Sequence, residues 1–268
     1  MNLALDIGGT KTRIGLISDS YKLLDSFFLL TDKNYESGVK NIFNFIKNQD
    51  VRISKICLGI AGVMNQGKLY SSPNMKNWIG KPIETDFKKE FSAEVYIEND
   101  AALAGLGEAI YGAGKNHKIV SYITVSTGVG GSRIVNGMID NKVYGFEPGK
   151  HRIFCKKSPS SFESLVSGKS IKKIYDQDAE KILDKKVWGE IMKNVALGVT
   201  NSIYFWSPEI VVLGGGVALS ESFDIQLLRE EVEKRVIKTY PKVPVITKAA
   251  LGDFSGIWGG IAYLRSAV

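Results

Sequence analysis

Two short glycine-rich stretches carry residue types suited to binding phosphate. Gly8-Gly9-Thr10-Lys11 follows the alternating run Leu3, Leu5, Ile7, and Ser126-Thr127-Gly128-Val129-Gly130-Gly131 follows a second apolar run. Glycines let a tight turn aim successive backbone N–H groups at one point, making a concave anion site. Thr10, Ser126 and Thr127 add hydroxyl donors, and Lys11 adds a cation. Asp6 stands beside the first turn, where a carboxylate repels phosphate unless a cation lies between. Hydrated Mg²⁺ suits that place, since it is held by one or two carboxylates together with phosphate oxygens. Glycines at hairpins are also ordinary turn chemistry. Two such turns within a repeat, one of them beside Asp6, favour the phosphate reading. A further carboxylate, Asp100, follows a strand-like run and opens an Ala-rich segment. That place suits a helix N-cap, while a strand-to-helix junction at a cleft also exposes a side chain for chemistry. Both readings stay open on the residues alone.

The elements that must position these groups occur twice in one order. A β-hairpin over Leu3–Leu16 is followed by a strand over Leu23–Thr31, a helix over Glu36–Lys47 and a buried strand over Lys55–Ile60. A short helix over Ile83–Phe91, a strand over Val95–Ile97 and a helix over Ala101–Tyr111 complete the first half. The order restarts at Lys118 with a strand over Ile119–Val125, the second glycine-rich turn, and a hairpin at Asn136-Gly137. An irregular segment runs from Gly145 to about Ser160. Then come a helix over Lys185–Trp206, a strand over Ile210–Leu213 ending in Gly214-Gly215-Gly216, and a helix over Phe223–Lys238. A strand over Val245–Thr247 and a helix over Ser255–Ser266 close the chain. Gly9-Thr10-Lys11-Thr12-Arg13-Ile14 also matches Gly131-Ser132-Arg133-Ile134. The expectation is a duplicated α/β fold, with lobes at 1–113 and 114–268 around a central cleft. Gly112-Ala113-Gly114 is the expected hinge, and the last helix is expected to pack back on the N-terminal lobe.

Composition bounds the function. In 268 residues, 44% are apolar and 24% charged, as in ordinary soluble globular proteins. The longest apolar run, Ile210–Leu219 counting its glycines, is too short to span a bilayer, and Asp6 interrupts any secretory leader. Cys57 and Cys155 are too few for a disulfide framework or a cysteine-built zinc site, which suits a reducing cytoplasm. The net charge of +7 comes from scattered lysine pairs without interleaved aromatics. That pattern describes a solvated surface, not a nucleic-acid or membrane patch.

The ordered set Leu5-Asp6-Ile7-Gly8-Gly9-Thr10-Lys11, Glu98-Asn99-Asp100-Ala101, Thr124 to Gly131 and Val212-Leu213-Gly214-Gly215-Gly216 resembles the ROK family of sugar kinases. That family lies within the actin/hexokinase/Hsp70-like ATPase superfamily, whose lobes have a ribonuclease H-like fold. The resemblance runs from Leu3 to about Leu264. It implies that Asp6, Gly8, Gly9, Thr10, Lys11, Ser126, Thr127, Gly128, Gly130, Gly214, Gly215 and Gly216 contact ATP, with Asp6 helping to place Mg²⁺ through water. It makes Asp100 the general base on a sugar hydroxyl and Asn99 a sugar ligand. Glu147, Glu163 and Asn74 are further sugar ligands by the same match, while Trp78 is assigned to packing.

Two departures stand out. The family's histidine after Glu-x-Gly is replaced by Lys150, with His151 one residue later. Either could make that sugar contact, and His151 reads better as a structural residue. The family's cysteine-rich zinc segment is reduced to Cys155 followed by Lys156-Lys157-Ser158-Pro159-Ser160-Ser161, so no zinc is expected. The resemblance implies Mg-ATP-dependent phosphorylation of a hexose, glucose first, at the 6-hydroxyl, by a cytoplasmic homodimer. Alternatives are an N-acetylmannosamine or N-acetylglucosamine kinase and a polyphosphate-dependent glucokinase. A non-catalytic sugar-binding or regulatory protein belongs to a different class. The first strand begins near Leu3, which leaves no room ahead of it for the DNA-binding domain of such regulators.

Overall fold

The computed structural model describes residues 1–65, 67–155, 158–236 and 239–267. The chain divides into two compact units. The first comprises Met1–Gly107, Asn141–Gly145 and the segment from Phe254 onward, and the second comprises Glu108–Asp140 and Phe146–Asp253.

In the first unit, β1 (Asn2–Ile7), β2 (Lys11–Ile17) and β3 (Leu23–Leu30) form an antiparallel ribbon. Helix α1 (Tyr35–Lys47) leads to β4 (Lys55–Ile60), which lies parallel to β1. A small hairpin of β5 (Val63–Asn65) and β6 (Lys68–Ser71) follows. Helix α2 (Ile83–Phe91) then leads to β7 (Glu94–Asn99), parallel to β4, and to α3 (Asp100–Ile110). The sheet order is β3-β2-β1-β4-β7. Strands β1 and β4 read as nearly continuous apolar runs because both faces are covered. Leu3, Leu5, Ile7, Ile56, Leu58 and Ile60 are buried with Val39, Ile42 and Ile46 of α1, which confirms the helical spacing of that segment.

The second unit repeats the plan. Strands β8 (Ile119–Val125), β9 (Val129–Val135) and β10 (Met138–Ile139) form its antiparallel ribbon. The β9–β10 turn has Asn136 and Gly137 both at positive φ, the type I′ geometry that Asn-Gly signals. Next come a hairpin of β11 (Arg152–Cys155) and β12 (Ser158–Ser161), then α4 (Phe162–Val166), α5 (Gly168–Tyr175) and α6 (Lys185–Trp206). Strand β13 (Ile210–Gly214) lies parallel to β8. After it come α7 (Gly216–Leu219), α8 (Ile225–Val236) and β14 (Val245–Lys248). The order β10-β9-β8-β13-β14 reproduces the first sheet strand for strand, so the fold is a duplicated ribonuclease H-like α/β fold. The helix read over Phe223–Lys238 is found over Ile225–Val236, with 237 and 238 outside the described residues.

Three readings are corrected. Gly131 lies within β9 opposite Ile123, whereas Gly9 is in the turn between β1 and β2, so their sequence match is out of register with the fold. The hairpin β5–β6 and the ordered β11–β12 hairpin inside the supposedly irregular segment were not read from the sequence. Pro159 argues against a central strand, but β12 pairs on one side alone, where proline is tolerated.

The last helix, α9 (Ser255–Ser266), packs on β1 and β4 of the first unit. Among the described residues no helix is long and apolar enough to cross a membrane.

Candidate active site

The first glycine turn is closed by Gly8 N–H donating to Lys11 O at 3.0 Å. Its neighbour Asp6 pairs in register with Arg13, whose Nη1 lies 3.5 Å from Asp6 Oδ2. The Lys11 ammonium lies over the Phe28 ring, 5.5 Å from its centroid. A different lysine reaches the turn: Lys33 Nζ donates to Gly9 O and, at 3.2 Å, to Asn74 O. A side chain at Gly9 would put its Cβ 2.6 Å from Asn74 Cβ. The turn and the loop carrying Asn74 are therefore in contact, and only glycine permits it. Trp78 is fully buried, with Nε1 donating to Asp32 O at 3.2 Å.

The junction of β7 and α3 shows which of its two polar residues caps the helix. Asn99 Oδ1 accepts from Ala102 N at 3.0 Å, so Asn99 rather than Asp100 caps the helix. Asn99 Nδ2 donates to Gly62 O at 2.9 Å, which fastens the cap to the turn between β4 and β5. Asp100 is the first helical residue, and its Oδ1 accepts from Ala101 N at 2.9 Å. No cation among the described residues pairs with its carboxylate. Burial raises its pKa above the ordinary aspartate value, against hydrogen bonds from the Ala101 and Asp100 amides. Glu98 supports the junction from behind. It accepts from Asn99 N at 2.6 Å and from Lys142 Nζ at 2.7 Å. Glu98 stands in the Glu98-Asn99-Asp100-Ala101 motif with no role assigned to it, and Lys142 carries no signal in the sequence. Lys142 belongs to a segment that rejoins the first unit after more than thirty intervening residues, a return that no local pattern signals.

In the second unit, the turn of the β8–β9 hairpin is closed by Ser126 N–H donating to Gly128 O at 2.9 Å. Glu163 braces it, because Glu163 Oε2 accepts from Val129 N at 2.9 Å. Glu163 Oε1 accepts from Lys150 Nζ at 2.7 Å. Gly130 pairs with Thr124 across the ladder, and Thr127 stands at the tip of the turn. Glu147 is exposed at the start of the short turn Pro148–Lys150. The His151 ring stacks on Phe162, with centroids 5.2 Å apart and planes 19° apart. Burial lowers the His151 pKa, with a backbone hydrogen bond at Pro148 opposing. The geometry thus brings Lys150, Glu163 and the second turn together, and turns His151 into the packing. Of the segment read as lacking zinc ligands, Lys156 and Lys157 lie outside the described residues.

The triple glycine divides by role. A Cβ at Gly214 would lie 2.3 Å from the Tyr122 hydroxyl. Gly215 has φ of +87°, and a Cβ there would lie 2.5 Å from Thr124 Oγ1. Both are demanded by the backbone and its packing. A Cβ at Gly216 would meet nothing within 4 Å, so that position is open to a ligand.

Among the described residues no group of three or more His, Cys, Asp or Glu is placed to hold a metal ion. A single carboxylate such as Asp6 suits a cation that keeps its waters and takes its other ligands from phosphate.

Duplicated ribonuclease H-like sheets, each with a glycine turn at the end of its first strand, define a protein of the sugar kinase and actin-like ATPase architecture. The ROK family matches residues 2–267, and the chain belongs to it. An uncharacterised protein of Clostridium perfringens is 30% identical over 95% of this chain and 94% of its own length. A glucokinase of Thermotoga maritima is 23% identical over 99% and 98%, and an N-acetyl-D-glucosamine kinase of Haemophilus influenzae is 25% identical over 98% of each. The fold is shared with a ROK family glucokinase from Streptomyces griseus, solved with glucose and AMPPNP. That comparison has a TM-score of 0.82, 21% identity and 99% coverage of each chain.

Proposed function

We propose that this protein transfers the γ-phosphoryl group of ATP to a hexose, with glucose the first choice and the 6-hydroxyl the acceptor. The observation that carries the reading is the β7–α3 junction. Because Asn99 takes the cap, Asp100 is not needed for it, and its carboxylate stands at the helix start with no cationic partner among the described residues. A carboxylate whose pKa is raised by burial is a stronger base than an exposed one. In the proposed step Asp100 takes the hydroxyl proton as the sugar oxygen bonds to the γ-phosphorus. The bond from that phosphorus to the bridging oxygen breaks, and ADP leaves with the electron pair. Most of the remaining acceleration comes from alignment and charge neutralisation.

The two glycine turns supply backbone N–H groups for the phosphates, and Gly216 leaves room for the nucleotide. Asp6 would hold Mg²⁺ through water, and the bound ion would neutralise phosphate charge during transfer. Asn74, Asn99, Glu147 and Glu163 are the proposed sugar ligands. Lys150 rather than His151 takes the place of the family's histidine, since its ammonium already meets Glu163 while the imidazole is stacked away. A cytoplasmic homodimer without zinc belongs to the same reading.

A coupled phosphorylation screen of hexoses and N-acetylhexosamines, run with ATP and with polyphosphate, tests it. The expected result is ATP-dependent turnover with glucose ahead of N-acetylmannosamine and N-acetylglucosamine. No turnover with any sugar and either donor would leave the non-catalytic sugar-binding reading in its place.

A further inference from the structure

Lys33 stands between β3 and α1, and nothing in its sequence context marks it out. Its ammonium nevertheless bonds to two carbonyls from separate parts of the chain, Gly9 O in the first glycine turn and Asn74 O in the proposed sugar loop. An ammonium offers three donors and no acceptor, so one group can join several carbonyls. The neighbours of Lys33 work in the same direction. Thr31 N–H donates to Thr10 O at 2.9 Å, and the Thr31 hydroxyl lies 2.9 Å from the Thr12 hydroxyl. Asp32 O accepts from the Trp78 indole at 3.2 Å. Residues 31–33 are thus bonded on one side to the turn and on the other to the loop. The absence of a side chain at Gly9 lets turn and loop touch.

We propose that Lys33 is a positioning residue that sets the spacing between the first phosphate turn and the Asn74 loop, and so aligns phosphoryl donor with acceptor. The consequence for catalysis rests on the kinase reading above. The spacing itself rests on the bonds just described. Lys33 is exposed and belongs to no core, so its role is not to hold the fold together. An acceptor loop displaced by about an ångström costs on the order of a hundredfold in rate without removing any ligand.

Lys33→Met keeps the aliphatic stem and removes the donors, while Lys33→Arg keeps donors on a longer arm. Each variant is compared with the wild type by hydrogen exchange and by steady-state kinetics in the full-length protein. In Lys33→Met, amides of residues 8–11 and 72–77 are expected to exchange roughly tenfold faster together, while those of β4 and α2 keep wild-type rates. Turnover falls about tenfold to a hundredfold, with little change in KM for sugar or ATP, and Lys33→Arg recovers part of both effects. Should Lys33→Met fail to fold, Lys33→Leu, which likewise has no donor, is read by the same criteria. Wild-type exchange in either segment, or wild-type turnover despite faster exchange, overturns the proposal. A wild type that phosphorylates no sugar refutes the kinase reading instead, and the exchange comparison still decides whether Lys33 joins turn to loop.

Discussion

Asp100 has to be ionised to accept a proton, yet its burial favours the neutral form and raises its pKa. Between the ordinary aspartate value and this raised one, the folded state binds more protons than the unfolded chain. Stability therefore falls as pH rises through that window and is not regained above it. The charge on Asp100 costs stability at neutral pH. Asp100→Asn keeps an oxygen for the Ala101 amide and leaves the Asn99 cap untouched, so it should melt above the wild type at pH 7. The difference should shrink as pH falls towards the ordinary aspartate value of about 4, because the carboxyl of the folded wild type takes up its proton above that value. Melting curves across that range check this, and a variant less stable at pH 7 would point to a cation holding the carboxylate. That a carboxylate stands at this junction was legible in the sequence. Which member of Asn99-Asp100 caps the helix was not, because both types cap well. The register of β7 against β4, with Asn99 opposite Ile60, decides where the strand stops.

At the scale of elements, the strongest local arrangement is one the sequence concealed. Glu108, in the last turn of α3, is fully buried. An acid there is disfavoured by the helix dipole, and it is compensated by backbone donors. Glu108 Oε2 accepts from Ala113 N at 2.9 Å and Ala250 N at 3.0 Å, and Oε1 accepts from Leu251 N at 2.9 Å. A Cβ at Gly112 would fall 2.1 Å from that carboxylate. Neither Gly112 nor Gly114 has positive φ, so close packing rather than conformational freedom accounts for Gly112. Glu108→Gln would turn an amide N–H₂ towards backbone N–H groups. It is expected to lose on the order of 2–4 kcal/mol, read from the denaturant midpoint at constant m-value. The triple glycine gives a paired test of function. Gly215→Ala should destabilise the fold through its positive φ and the nearby Thr124 hydroxyl. Gly216→Ala should leave the melting temperature unchanged and raise the KM for ATP. Equal melting temperatures for the two variants would contradict this division. The triple glycine was visible in the sequence, but its split into packing and open positions depends on Tyr122 and Thr124 of a neighbouring strand.

Across the whole chain, the duplication was readable because the inner strands β1, β4, β8 and β13 are apolar runs and the first hairpin of each ribbon turns at a glycine-rich signal. Units assembled from distant segments were harder to read. Residues 141–145 join the first unit, where Lys142 meets Glu98 in a partly buried ion pair with no periodic signature. The placement of α9 depends on small residues at its contacts. A Cβ at Gly260 would lie 2.6 Å from Ala4 Cβ, and one at Gly15 would lie 2.6 Å from Ile257. Tight packing of that kind shows only when both partners are in place. In the proposed function this chain moves a phosphoryl group onto a sugar with Asp100 as the base. The most direct test is mass spectrometry of the sugar and nucleotide after incubation of wild type and Asp100→Asn with glucose, ATP and Mg²⁺. The prediction is glucose carrying one phosphoryl group on its 6-oxygen, formed in step with ADP, and about 10²–10⁴-fold slower formation by the variant. ADP released without any sugar phosphate, or sugar phosphate formed equally fast by Asp100→Asn, would contradict it.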